Sequence, residues 1–160
     1  MSEITNTRSL RGSIVLLRVL IGWHFLYEGI IKLYNPDWTA LGYLSSAQGP
    51  FKQVFYAMTN QSFIGWIDGL NMAALIIVGL TFSLGFSEKK GAFIAIGLLA
   101  MYYLAHPPFP WLIQINTEGN YWFVNKNLIE LAACLIIYQY PTGKYFGLDR
   151  FFKMNKKENK

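Results

Sequence analysis

The sequence predicts an all-α membrane protein, a four-helix transmembrane bundle with a short amphipathic helix in the first outer loop. Four apolar runs are each long enough to cross a hydrocarbon core, which takes about 20 residues of helix. Charged residues make up only 14% of the chain, whereas an average soluble domain has about a quarter. Basic residues gather on one side of the predicted bundle.

The predicted membrane helices cover residues 13–34, 66–86, 90–106 and 121–140. Three of them stop close to proline: Asn35-Pro36, Pro107-Pro108 and Pro141. Proline lacks the backbone donor and clashes with the preceding turn, so it is a physical end to a helix. The alternative, a soluble helical bundle, is disfavoured because stretches such as 72–78 and 92–101 lack the polar stripe of a surface helix.

The connections divide unequally between the two sides. The first outer loop, residues 35–65, is the longest, and its stretch 51–58 has the apolar spacing of a short amphipathic helix. The second outer loop, residues 107–120, is predicted to cap the bundle mouth. We therefore expect one transmembrane domain over residues 1–152, followed by a basic cytoplasmic tail over residues 153–160.

The lysines and arginines orient the bundle. One side carries Arg8, Arg11, Lys89, Lys90, Lys144, Arg150, Lys153, Lys156, Lys157 and Lys160. The positive-inside rule then predicts a multi-pass protein with both termini in the cytoplasm. The same distribution disfavours a nucleic-acid partner, because the cations do not form a patch interleaved with a folded face. Membrane lipid is the partner that it predicts.

Helix one carries four ionisable side chains within its apolar run: Arg18, His24, Glu28 and Lys32. At about 100° per residue they fall within an arc of roughly 120°. Charges are costly inside a bilayer, so this face is expected to look into the bundle or a wet cavity.

The fourth helix offers a second polar face, formed by Asn127, Glu130 and Cys134. Since Glu130 and His24 lie at similar predicted depths, we expect them to share one internal cluster with Glu28. Arg18 and Lys32 are expected to balance its charge at the inner and outer ends. The alternative is a set of paired charges that only set helix register.

Other polar groups lie toward the outer boundary: Asp68, His106 and Lys126. His24 and His106 lie at different depths, which disfavours a shared haem, and the chain has too few thiols and histidines for a typical zinc site. No metal or haem is expected. The single cysteine, Cys134, is interpreted as a small apolar packing residue.

Three glycines are predicted to let helices approach closely, as small residues do in membranes: Gly22 and Gly29 on helix one and Gly79 on helix two.

Two stretches resemble a known family. Residues 17–33, LRVLIGWHFLYEGIIKL, and residues 124–130, VNKNLIE, resemble the DoxX family. They are most similar to its DoxD-like members, the membrane-subunit type of thiosulfate:quinone oxidoreductase. The resemblance implies a bacterial or archaeal cytoplasmic (inner) membrane, oxidation of thiosulfate to tetrathionate with quinone as acceptor substrate, and a partner subunit.

Under that expectation the ionisable residues take roles. His24, Glu28 and Glu130 are the candidate catalytic groups that exchange protons with a quinone. The candidate substrate-binding residues are Arg18, Lys32, Asp68, His106, Lys126 and Asn127. The alternative from another class is a non-catalytic membrane scaffold or assembly partner of a larger envelope complex, because buried charges also grip partner helices.

Overall fold

The structure, a computed structural model, describes residues 2–112 and 122–151, with side chains from residue 8 onward. Within these ranges the chain forms helices and turns and no strand. The predicted tail at 153–160 lies outside the described residues, as does most of the second outer loop. The helices are α1 (Ser2–Tyr34), α2 (Leu41–Ser45), α3 (Lys52–Ala57), α4 (Gln61–Leu84), α5 (Glu88–Ala105), α6 (Lys126–Gln139) and α7 (Gly143–Phe146).

The long helices pack in a continuous order. α1 packs along α4, α4 contacts α5, α5 packs along α6, and α6 returns to contact α1 over a shorter stretch. A buried apolar cluster joins all four, with Phe25, Phe82, Leu99 and Ile137 among its members. Cys134 is fully buried in the same cluster, which confirms its interpretation as a packing residue.

Glycine sets the close approach of α1 and α4. A Cβ added to Gly79 would lie 2.6 Å from the backbone of Leu26, and one added to Gly22 would lie 2.8 Å from the Ser83 nitrogen. A Cβ added to Gly29 would lie 3.1 Å from the Ile76 nitrogen. Real Cβ atoms essentially never lie as close to backbone as at Gly79 and Gly22, and the distance at Gly29 is tighter than most, so the predicted close approach is confirmed at all three glycines.

Two helices are long and apolar enough, by length and composition, to cross a membrane: Arg8–Tyr34 within α1, and α4. Four had been predicted. α5 places Glu88, Lys89 and Lys90 in its first turn. α6 begins at Lys126 rather than at residue 121, because the Asn125 side chain accepts a hydrogen bond from the Leu128 N–H and caps the helix there.

The predicted short helix in the first outer loop is present as α3, preceded by the smaller α2. Phe55 is the buried residue of α3, and it packs with Leu44 of α2 and Ala105 at the end of α5. The Gln48 N–H donates to the Ala105 carbonyl, which ties the loop to the end of α5. This second apolar cluster lies at the same end of the molecule as Lys32, hereafter the Lys32 end.

The opposite end, hereafter the Arg18 end, is closed by the segment that follows α6. The Leu148 N–H donates to the Leu84 carbonyl, and the Asp149 carboxylate accepts from the Ser87 N–H. Gly85 and Ser87 both adopt positive φ, at 63° and 55°, so the α4–α5 turn is tight. Residues 8–18 and 141–151 therefore meet at one end, in agreement with the predicted placement of these segments on the same side.

Candidate functional site

His24 and Glu130 form the central polar pair. The Nδ1 atom of His24 lies 2.8 Å from Oε1 of Glu130, which joins α1 to α6 near the middle of α1. The His24 side chain is 43% exposed, whereas that of Glu130 is 14% exposed. Since a carboxylate only accepts, Nδ1 carries the shared proton when Glu130 is charged, and Nε2 remains as the outward nitrogen. Among the described residues none hydrogen-bonds to Nε2.

Glu28 and Lys32 form a second pair, one turn further along α1. Lys32 Nζ donates to Glu28 Oε2 in the i,i+4 arrangement. The same ammonium group lies 5.5 Å from the centre of the Trp38 ring. Lys126 of α6 is close enough for its charge to act on both His24 and Glu28. Five charged or titratable groups of α1 and α6, counting His24 and Glu130, are thus gathered along the line where these helices meet.

Arg18 does not belong to this cluster, which corrects the expectation that it balances charge at the inner end. Its guanidinium pairs with Glu88 of α5, and Nη1 also donates to Thr142 Oγ1 at 2.9 Å. Nη2 donates to the Phe146 carbonyl at 2.8 Å, and the Thr142 N–H donates to Glu88 Oε2 at 2.7 Å. The Arg18 and Glu88 side chains are only 3% and 0% exposed.

Sequence reasoning missed Glu88, although a signal existed. Arg18 has no acidic residue within one turn on its own helix, so its partner had to come from another element. Glu88 lies beside Lys89 and Lys90, and only these two lysines were considered, as signals of membrane orientation. The physical reason for the error is that an arginine side chain reaches a carboxylate at its own depth before it reaches one several turns away.

Two further candidates, Asp68 and His106, have local partners at the Lys32 end. Asp68 Oδ1 accepts from the Ala40 N–H at 2.8 Å and so anchors the start of α2. His106 Nε2 lies 2.9 Å from the Tyr43 carbonyl, and its ring lies 4.3 Å from the Tyr43 ring. Both contacts hold the first outer loop against the helices, and neither side chain joins the His24–Glu130 pair.

Asn127 is half-buried and lies three residues before Glu130 on α6. A separate polar contact links α4 to α5 nearby, where Asn71 Nδ2 donates to the Tyr102 hydroxyl. Over the described ranges no group of three His, Cys, Asp or Glu side chains is placed to hold a metal ion.

Comparison with protein-family models, with characterised proteins and with solved structures finds no match to this chain.

Proposed function

We propose that α1, α4, α5 and α6 form a transmembrane bundle in a bacterial or archaeal cytoplasmic membrane. The length and apolar composition of α1 and α4 support this, as does the circular packing order of the four helices. At about 1.5 Å per residue α6 is only about 21 Å long, so it needs neighbours to shield its ends. α5 and α1 flank it, and the Asn125 side chain caps its first turn.

A reporter fusion tests this arrangement. A reporter fused after Lys160 is expected in the cytoplasm, and one inserted beside Gln48 is expected outside, because the Arg18 end carries most of the cations. A matched pair of fusions, active only in the cytoplasm or only outside, reads both positions. An external reporter after Lys160 overturns the orientation, and release of the chain by alkaline carbonate overturns the membrane assignment.

Within that membrane protein, the proposed activity is that of a DoxX-type subunit of a quinone-linked oxidoreductase. The observation that carries it is the His24–Glu130 contact. His24 belongs to the first stretch that resembles the DoxX family, and Glu130 is the last residue of the second. The fold brings these two separate stretches together at 2.8 Å.

The surroundings of His24 suit a lipid-soluble ring with polar carbonyls. Leu20, Tyr27 and Ile31 lie on the same stripe of α1 as His24, at spacings of three or four residues, and all three are exposed. A quinone headgroup needs an apolar binding surface with a few polar groups at its oxygens. The three exposed residues supply the apolar surface, and Nε2 of His24 supplies a hydrogen-bonding group between them.

The chemistry assigns different roles to these residues. Oxidation of two thiosulfates to one tetrathionate releases two electrons, and a quinone that accepts them also takes up two protons. With its Nδ1–H held by the Glu130 carboxylate, the imidazolium form of His24 is placed to give a proton at Nε2 to a quinone oxygen and to take up another from water at the same nitrogen. The cations Lys32 and Lys126 are nearest to the outer water, where a dianion such as thiosulfate needs positive charge.

Quinone binding by the purified protein tests the activity. The unaltered chain is expected to bind a short-tailed quinone analogue, and Glu130→Gln and His24→Asn are expected to weaken that binding by tenfold or more. Lys52→Gln, an exposed change at α3, is the matched control and should leave binding unchanged. Equal affinity in all four proteins would rule out the His24 site.

A second function, a non-catalytic scaffold or assembly partner, has one observation in its favour. The Glu28 side chain is 47% exposed although it lies within an apolar helix. A half-exposed carboxylate on a membrane helix is costly unless another group covers it, and a partner helix supplies such cover. Co-purification with a larger envelope complex that is lost in Glu28→Gln, with no quinone binding by the chain, would favour this function.

A further inference from the structure

The Arg18 end of the molecule carries a ring of six cations, five of them exposed and Arg11 half-buried. They come from three separate parts of the chain: the start of α1, the α4–α5 turn, and the segment after α6. Contacts between these parts place them at one end, since Arg18 pairs with Glu88 and its guanidinium also reaches the Phe146 carbonyl. The ring, hereafter the basic collar, comprises Arg8, Arg11, Lys89, Lys90, Lys144 and Arg150.

The described carboxylates at this end do not neutralise the basic collar. Glu88 is fully buried and satisfied by Arg18 and Thr142. Asp149 is half-buried, with its carboxylate 3.3 Å from the Ser87 nitrogen. Asp149 can offset only one of the six collar charges, so most of the positive charge of the basic collar is uncompensated among the described residues.

The Lys32 end has a different charge balance. Among the described residues there, Lys32 is paired with Glu28, while Asp37 and Asp68 equal in number the remaining lysines, Lys52 and Lys126. The field of uncompensated positive charge is thus a property of one end of the molecule.

Exposed aromatic rings lie beside two of these cations. The Arg11 guanidinium lies 4.3 Å from the centre of the Tyr145 ring, and Lys89 Nζ lies 5.5 Å from that of Tyr138. Tyr145, Phe146 and Phe151 are all exposed. Aromatic rings beside cations are typical of the zone where acyl chains give way to headgroups.

From this combination we infer that the basic collar binds the headgroups of anionic phospholipids in the leaflet at the Arg18 end. This rests on the transmembrane arrangement proposed above and goes beyond it, because it names a ligand class and the residues that select it. Phosphate oxygens accept hydrogen bonds from several donors at once, and the collar provides lysine and arginine donors from three chain segments. A zwitterionic headgroup has no net charge for the collar to attract.

The experiment measures lipid competition on the intact, purified chain in a zwitterionic detergent. A fluorescent phosphatidylglycerol is bound first, and unlabelled phosphatidylglycerol, phosphatidylcholine or inorganic phosphate is then added. Phosphatidylglycerol is expected to displace the probe, and the other two are not. The affinity should fall steeply as salt is raised from 0.1 M to 1 M, where the screening length drops from about 10 Å to about 3 Å.

Charge-neutral variants identify the residues. Each neutralised cation is expected to weaken phosphatidylglycerol binding by about fivefold, so Lys144→Gln/Arg150→Gln should weaken it by about 25-fold. These side chains are exposed, and unchanged helix content by circular dichroism checks that the fold is kept. Lys52→Gln, the same chemical change at the Lys32 end, is the matched control and should bind as the unaltered chain does.

The outcomes separate this inference from the membrane assignment. Equal displacement by phosphatidylcholine, equal displacement by inorganic phosphate, or undiminished binding in the double variant would each overturn the basic collar as an anionic-lipid site. Release of the chain by alkaline carbonate would overturn the transmembrane proposal instead. Selective phosphatidylglycerol binding that persists in such a released chain would still support the collar.

Discussion

Arg18 and His24 lie fewer than two turns apart on α1, yet each is paired in a different setting. Arg18 and Glu88 are 3% and 0% exposed, and Thr142 and the Phe146 carbonyl complete their hydrogen bonds. His24 is 43% exposed, and one of its two ring nitrogens lies against Glu130. The first pair is surrounded by protein, and the second has one side open.

This difference distinguishes two roles of polar side chains in an apolar bundle, one structural and one in binding a ligand. A buried charge pair with almost every donor and acceptor engaged holds elements together and is closed to a ligand. A pair with an outward nitrogen keeps a hydrogen-bonding position for something that arrives from outside. The position of a charged residue in an apolar helix does not distinguish these cases, and its partners do.

The largest expected effect on stability is at the Arg18–Glu88 pair, which is surrounded by protein. Arg18→Met leaves the Glu88 carboxylate buried without its cation, and this should lower the free energy of unfolding by about 3–5 kcal/mol. Arg18→Met/Glu88→Gln should recover much of the loss, because it removes the uncompensated charge. Detergent titration followed by circular dichroism measures both. Lys90→Met, at an exposed position, is the control, and an equal loss there would erase the distinction between the two settings.

The second effect tests the packing that holds both pairs in place. Gly79→Ala should cost about 1–3 kcal/mol, because its Cβ would lie 2.6 Å from the Leu26 backbone and would push α4 from α1. Gly97→Ala is the matched control in α5, where a Cβ meets nothing within 4 Å. There the change should stabilise by up to about 1 kcal/mol. Effects of the same sign in both variants would contradict this account of close approach.

At the His24–Glu130 pair, which has one side exposed, a substitution should affect stability and quinone binding differently. Glu130→Gln is expected to change the free energy of unfolding by less than about 1 kcal/mol, since its partner His24 is 43% exposed and solvent screens the contact. The same variant should lose quinone binding. Measuring unfolding and binding on one preparation sharpens the contrast with Arg18. A decrease of several kcal/mol in the free energy of unfolding would show that His24–Glu130 is a structural pair like Arg18–Glu88.

The smallest effect is expected at Glu28. Glu28→Gln removes an i,i+4 pair with Lys32 and should cost about 0.3–0.5 kcal/mol. Lys32→Gln is the matched change from the other side of the pair. Similar small losses in each single variant, and no further loss in the double variant, are the expected result. A large loss for Glu28→Gln alone would show that the carboxylate has a second partner.

Much of the architecture followed from local signals in the chain. Apolar runs, three of them ended by proline, predicted the long helices, and all four long helices end within two residues of the predicted position. Glycines spaced along α1 and α4 predicted close packing, because a missing Cβ has no local purpose in the middle of a helix. Helical spacing in residues 51–58 predicted α3, since periodicity is a property of the sequence itself.

The tertiary structure decided what local signals do not contain. Helix-wheel geometry put Arg18 and His24 on one arc, but only the packing of α5, α6 and residues 141–151 gave them different partners. The Asn125 cap shortened α6 below the predicted span, because a side-chain hydrogen bond ended the helix where apolarity alone did not. By itself the sequence determined where the long helices end and where charge enters them. Only the three-dimensional packing decided which of those charges are enclosed by protein and which stay accessible. An ion pair between two helices depends on how deep each residue lies and how each helix is rotated about its axis, and sequence periodicity specifies neither.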